Sequence, residues 1–310
     1  MKKIFLFVAI VPSLFLFSCR KNTPGYTDSD YSFYAALPAS VIDSGETANF
    51  ILTDNPDVIS FYSGELGHEY INRERTRLDG GRLNIKFQTR VQYQPADTLD
   101  VMLSNDFTGI YDSANVANAH WKRMTDLFLF PTPASTLSTF YPSGPTDGDF
   151  ADITDSTISG QPFYLAFMYT NTKPTNIIWS VGKLGMYNLF TNGVANSTVI
   201  DSNQITSGSF APVQFTDPVS RVSTTSTYLK ISNSTQEPLG AQYWHISRPL
   251  NPSAVDPDVP VVIKNITESP LREFKYLYTK PGTYTATFVA GYKRLNFEKT
   301  FVREFTVVVQ

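Results

Sequence analysis

Beyond residue 30 the apolar residues fall into short runs in which alternate positions are hydrophobic, separated by clusters of Gly, Pro, Asn and Asp. The clearest are TANFILT at 47–53, RLNIKFQT at 82–89, TLDVMLS at 98–104, PFYLAFMY at 162–169, NIIWSV at 176–181, TYTATFVA at 283–290 and REFTVVV at 303–309. A period of two, filled by β-branched and aromatic residues, sets alternate side chains on opposite faces of a pleated strand. No window of a dozen residues keeps the stripe of an amphipathic helix. The pattern predicts an all-β chain built of sandwiches.

The runs also suggest an order of assembly. Residues 33–82 supply only two or three strands, and 270–310 two or three more. Neither set can bury an inner face alone, so the two are expected to pair as one sandwich around an inserted domain at 83–269. The insert holds Trp121, Trp179 and Trp244, and its length suits a jelly-roll-like β-sandwich with long loops at 105–120, 141–160 and 190–227. The rival architecture, two or three domains in series, leaves the first segment without closing strands. Pro281-Gly282, just ahead of the run at 283–290, has the chemistry of a type II turn.

The N-terminus reads differently. Two lysines precede an apolar run from Ile4 to Phe17, too short to cross a bilayer comfortably and typical of a secretory signal at 1–18. Leu16-Phe17-Ser18-Cys19 resembles a bacterial lipobox, in which the cysteine is acylated once the preceding peptide is removed. Cys19 is the single cysteine among 310 residues. A buried structural thiol is the plainer reading of one cysteine, but this one stands where lipidation requires it, and disulfides cannot contribute to the fold. Residues 19–32, polar and interrupted by Pro24 and Gly25, read as a flexible tether, with acyl chains the only contact with a membrane. With 25 basic and 28 acidic residues, a formal charge of −3 gives no reason to expect a nucleic-acid partner.

Catalytic signatures are missing. His68, His120 and His245 show no metal-ligand spacing, and none of the Ser-Gly dipeptides forms GxSxG. No motif selects a carboxylate pair for glycosidic cleavage. The chain is read as a non-enzyme. The acidic loop TDGDFADITD at 146–155 brings Asp147, Asp149 and Asp152 close in sequence, which makes calcium the one cofactor worth testing; Asx-turns in a solvated loop are the plainer explanation.

Aromatic residues make up 14% of the chain, and flat rings can stack on sugar faces. Trp179 and Trp244 lie in strand-like runs and are expected in cores. Trp121 differs, because His120 and Lys122 flank it after a long polar stretch. These three residues form the candidate ligand platform, against the simpler reading of Trp121 as packing at the start of a strand. In INRERTRL at 71–78, Arg73, Arg75 and Arg77 alternate and would share one side of an extended strand, where a partner could cover them; neutralisation by nearby glutamates is the competing account.

Two distant segments resemble the opening and close of a polycystic-kidney-disease-type (PKD-like) immunoglobulin-like domain: ASVIDSGETANFILTDNPDVISFYSGELG at 39–67 and YLYTKPGTYTATFVAGYKRLNFEKTFVREFTVVV at 276–309. ISFYSGELGHEYINRERT (59–76), AHWKRMTDLFLFP (119–131), DITDSTISGQPFYLAFMYTN (152–171) and IIWSVGKLGMYNLF (177–190) together resemble the Bacteroidetes surface lipoproteins of the domain-of-unknown-function 5017 (DUF5017) family. That resemblance implies an outer-membrane, surface-facing accessory lipoprotein of a starch-utilisation-type importer, with the importer and its lid lipoprotein as partners. The expected ligand is an oligosaccharide or a peptide nutrient. The alternative is a structural subunit that contacts only protein partners. Arg20 and Lys21 after the cysteine depart from the acidic pattern of surface-exported lipoproteins.

Overall fold

The computed structural model describes residues 31–93, 99–131, 139–145, 150–190, 196–215, 221–295 and 297–310. Each of the alternating runs forms a strand. The chain is all-β: among the described residues, apart from short 3-10 turns, the one helix is Ser113–Asn118, capped by the Asp112 carboxylate on the Asn115 amide.

Strands from both ends of the chain make one immunoglobulin-like sandwich. Its smaller sheet orders Ala35–Ala36, Thr47–Leu52 and Glu273–Leu277, and its larger one Val261–Lys264, Val58–Tyr62, Gly282–Arg294, Phe297–Val309 and Val41–Ile42. Thr47–Leu52 shows the expected alternation, with Ala48, Phe50 and Leu52 buried between exposed neighbours. Phe50, Phe61 and Phe288 meet at the centre, with centroids 5.0 Å apart for Phe50 and Phe288 and 4.9 Å for Phe61 and Phe288. Each such ring contributes about 1.5–3 kcal/mol by leaving water.

Two details differ from the sequence reading. Val261–Lys264 pairs with Val58–Tyr62, so the chain returns to this sandwich at 261 rather than 270. Gly282 has φ 159° and opens a strand paired with Val309, instead of taking the φ near +80° of a type II turn. The long hairpin extends to that residue, so its backbone is drawn into the strand.

The second pair of sheets lies between these strands in sequence. One five-stranded sheet orders Ala211–Gln214, Gln242–Ile246, Tyr164–Thr170, Asp100–Ser104 and Lys122–Arg123; the other, of seven strands, orders Val222–Thr224, Tyr228–Asn233, Ile177–Leu189, Arg82–Gln92 and Tyr141–Pro142, with Ser197–Ile200 also paired to Ile177–Leu189 and Ala151–Asp152 to Arg82–Gln92. Phe87, Leu165, Phe167, Tyr169, Trp179 and Tyr243 fill the space between them. The five-stranded sheet is apolar on its other face as well, where Met102, Ala166, Met168, Trp244 and Ile246 pack beneath Phe107 and Val116. Burial on both faces explains why YLAFMY reads as a continuous apolar run. The covering segment at 105–120, expected as a long loop, contains the short helix. It carries Trp121 to the sheet edge.

Candidate functional site

The open groove beside Trp121 is lined by Leu103, Asn105, Asp106, His120, Trp121, Lys122, Ile158 and Gln161. It is assembled at the edge where Lys122–Arg123 pairs with Asp100–Ser104, with Leu103 opposite Lys122. Ser104 ends the longer strand and turns the chain: its hydroxyl accepts from the amides of Asp106 and Phe107 and donates to the Asp106 carboxylate at 2.8 Å. The helix and its flanks then bring the chain back fourteen residues later, so that the His120 amide donates to Asp106 at 2.9 Å and His120 Nδ1 lies 2.6 Å from the other carboxylate oxygen. The His120 side-chain hydrogen bond, aided by Ser104, holds the Asp106 carboxyl below the usual carboxylate range. Asp106 is therefore an ionised acceptor at neutral pH.

Trp121 is half-buried rather than a freely projecting platform. Its indole N–H donates to the Val116 carbonyl at 3.0 Å, and its ring packs 5.0 Å from Trp244 and 5.5 Å from Phe107. Such packing fixes the ring plane while its remaining surface lines two grooves, the one above and a second bordered by Phe215, Gln242 and Trp244. Lys122 donates to the Ser156 hydroxyl at 3.1 Å. Asn105 reaches the Ser156 carbonyl at 3.5 Å, while its side-chain oxygen has no partner.

The fold thus brings His120, Trp121 and Lys122 together, and adds Asp106, Asn105, Ile158 and Gln161, which sequence reasoning missed. The available signal was Ser104-Asn105-Asp106, a Ser-x-Asp turn directly after an alternating run. Chemically the cluster offers one carboxylate, one imidazole, two amides and one ammonium around a fixed aromatic wall. The Ser104 hydroxyl faces the carboxylate and not the imidazole, so no serine–histidine pairing forms there.

The other candidates lie elsewhere. Cys19, Asp147 and Asp149 are outside the described residues. Asp152 accepts two hydrogen bonds from Arg82, at 2.9 and 2.7 Å, and another from the Thr154 hydroxyl at 2.6 Å. Among the described residues no cluster of His, Cys, Asp or Glu could hold a metal ion.

The three arginines do not share one side of a strand. Tyr70–Asn72 is a 3-10 turn, which sends them to different neighbours. Arg73 lies over the Tyr70 ring at 4.1 Å, Arg75 pairs with buried Asp258 at 2.9 Å, and Arg77 lies 3.5 Å from Asp79. Local pairing disperses the like charges that an extended strand would have stacked. Arg75 joins the outgoing chain to the returning one, as do the Leu78 amide on the Ser253 carbonyl and the Val255 amide on the Thr76 carbonyl.

A family model described as Domain of unknown function (DUF5017) matches residues 18–210, a span that includes the whole Trp121 groove. No curated protein and no solved structure matches the chain.

Proposed function

We propose, from the premise that this chain belongs to the DUF5017 family, that it is a non-catalytic, lipid-anchored protein of the outer cell surface that holds an oligosaccharide for an outer-membrane importer. A peptide is the less favoured ligand. The observation that carries the reading is the Trp121 wall, held by Trp244, Phe107 and the Val116 carbonyl and surrounded by Asp106, His120, Asn105, Lys122 and Gln161. A sugar presents an apolar ring face and a rim of hydroxyls that both donate and accept. A rigid aromatic wall with mixed polar groups suits that pattern. Asp106 is the one carboxylate among the described groove residues, whereas glycosidic cleavage ordinarily uses two.

The lipidation reading of Cys19, with an outer-membrane site, rests on the signal-like N-terminus. Association with an importer and its lid lipoprotein is part of the same proposal. The test is calorimetry and affinity electrophoresis of the mature protein over a panel of glycans and peptides, comparing wild type with Trp121→Ala and His120→Ala. A glycan that binds wild type and is lost on Trp121→Ala supports the reading; no binding, or binding indifferent to both substitutions, overturns it.

A second reading, a structural subunit that touches only protein partners, is favoured by exposed apolar side chains Leu66, Ile71, Val259, Val261 and Val262, near where the chain leaves and re-enters the first sandwich. Co-purification with the importer that is abolished by Ile71→Asp and Val262→Asp, together with an empty ligand panel, would select it.

A further inference from the structure

The outer face of the seven-stranded sheet carries a separate pocket, of about 260 Å³, lined by Lys86, Phe87, Gln88, Pro142, Gly144, Lys183 and Ser202. It is formed where the central strand Ile177–Leu189 breaks register. Gly182 pairs with Gln88 and Gly185 with Lys86, so Lys183 and Leu184 together stand opposite the single residue Phe87. This is a β-bulge in the middle of a sheet. Leu184 goes into the core and Lys183 is turned out to solvent.

Lys183 has φ 51°, in the left-handed region. Bulges of this kind ordinarily place glycine there, because a side chain with a Cβ is strained. Glycine is present on both sides of Lys183-Leu184, at Gly182 and Gly185, yet lysine occupies the strained position. Strained backbone that re-aims a side chain is a mark of function more than of stability.

What Lys183 is aimed at is a cationic surface. Lys86 shares its pocket, with its ammonium 4.4 Å from the Phe150 ring centroid. Arg90, next but one along the outward side of Arg82–Gln92, lies between the Phe140 and Tyr228 rings at 4.9 and 5.6 Å. Lys230, opposite Ser180, alternates outward between buried Leu229 and Ile231. Among the described residues none of these four cations has a carboxylate partner, although the protein as a whole is acidic. Among the described residues, then, two ammonium groups beside the Gln88 amide and the Ser202 hydroxyl form a set of donors that no carboxylate neutralises.

We infer that this pocket binds an anionic group, a carboxylate or sulfate carried on a saccharide. Lys183 and Lys86 supply the charge, and Gln88 and Ser202 supply directional hydrogen bonds. That the carrier is a saccharide rests on the function proposed above; the anion site itself does not. The volume fits one small charged unit, not a polymer lying along the sheet.

The test titrates the mature protein by calorimetry with oligogalacturonate, a chondroitin sulfate oligosaccharide and uncharged maltooligosaccharides, at low and high salt. The acidic probes should bind, and weaken with salt as screening predicts. Lys86→Gln and Lys183→Gly should each weaken them by about ten-fold or more, the size expected for losing a charge-assisted hydrogen bond. Lys183→Gly relieves the left-handed strain, so its melting temperature should equal or exceed that of wild type. Trp121→Ala should leave the effect of Lys183→Gly on the acidic probes unchanged. Failure of the wild-type protein to bind any neutral glycan, with the acidic probes still bound, would remove the Trp121 reading and leave this one standing. The anion site is overturned if no acidic probe binds, if Lys183→Gly binds as tightly as wild type, or if Lys183→Gly clearly lowers the melting temperature.

Discussion

The Tyr276 hydroxyl donates to the Glu65 carboxylate at 2.5 Å, joining residues 211 positions apart. Glu65 also accepts from the Ser63 hydroxyl at 3.2 Å, and the Tyr278 hydroxyl donates to the Ser63 carbonyl at 2.8 Å. Gly64 between them has φ 80°, and a Cβ there would lie 2.6 Å from the Thr285 backbone nitrogen. FYSGELG is thus the point where the outgoing chain is fastened to the returning one. Its polar residues serve the fold of the first sandwich.

Removing the hydroxyl by Tyr276→Phe leaves the Glu65 carboxylate with one fewer donor in a half-buried place. The expected loss is about 1–3 kcal/mol, typical of a hydrogen bond to a charged group. Gly64→Ala should cost more, because it combines a left-handed backbone with a contact against main chain that cannot swing away. Urea unfolding of both variants ranks them. If Gly64→Ala is the milder, the turn is less constrained than its geometry indicates.

Breaking the Arg75–Asp258 pair should cost far more than breaking the Arg73–Glu74 pair. The Asp258 side chain is 1% exposed, and its two oxygens take Arg75 at 2.9 Å and the Glu69 amide at 2.9 Å. Arg75→Met leaves that carboxylate buried with a single donor, and about 3–5 kcal/mol should be lost. Arg73 meets Glu74 at the surface, where such pairs contribute about 0–1 kcal/mol, so truncating Glu74 should scarcely register. Thermal melts of Arg75→Met and Glu74→Ala give the comparison; equal effects would mean the Arg75 pair adds no more than a surface one.

Much of this architecture could be read from local pattern. TANFILT and TYTATFVA become strands because every second side chain has a core to enter, and Trp179 and Trp244 are buried as their runs imply. What escaped depends on contacts distant in sequence. Asp106 reaches His120 only because Ser104 turns the chain and a six-residue helix brings it back. A helix so short leaves no periodic stripe. Arg75 is neutralised by a carboxylate 183 residues away, so the nearby glutamates gave no guide to its partner. The bulge at Lys183 was equally hidden, since Gly-Lys-Leu-Gly fits an unbroken strand until its register is known.

His245 makes a pH-dependent prediction. It is fully buried, with Nε2 3.0 Å from the Lys230 carbonyl and Nδ1 without a partner. Burial lowers its pKa from 6.5 to about 4. Between those values the unfolded chain takes up a proton that the folded chain refuses, so stability falls as pH falls through this window and is fully present above pH 6.5. A displacement of that size corresponds to roughly 3–4 kcal/mol at most. His245→Gln keeps a donor for the Lys230 carbonyl and cannot titrate. Unfolding free energies measured from pH 7 to pH 4 should therefore decline less steeply in the variant, while carboxylate contributions act on both proteins alike. Parallel curves would mean that His245 takes up its proton in the folded state as readily as in the unfolded one.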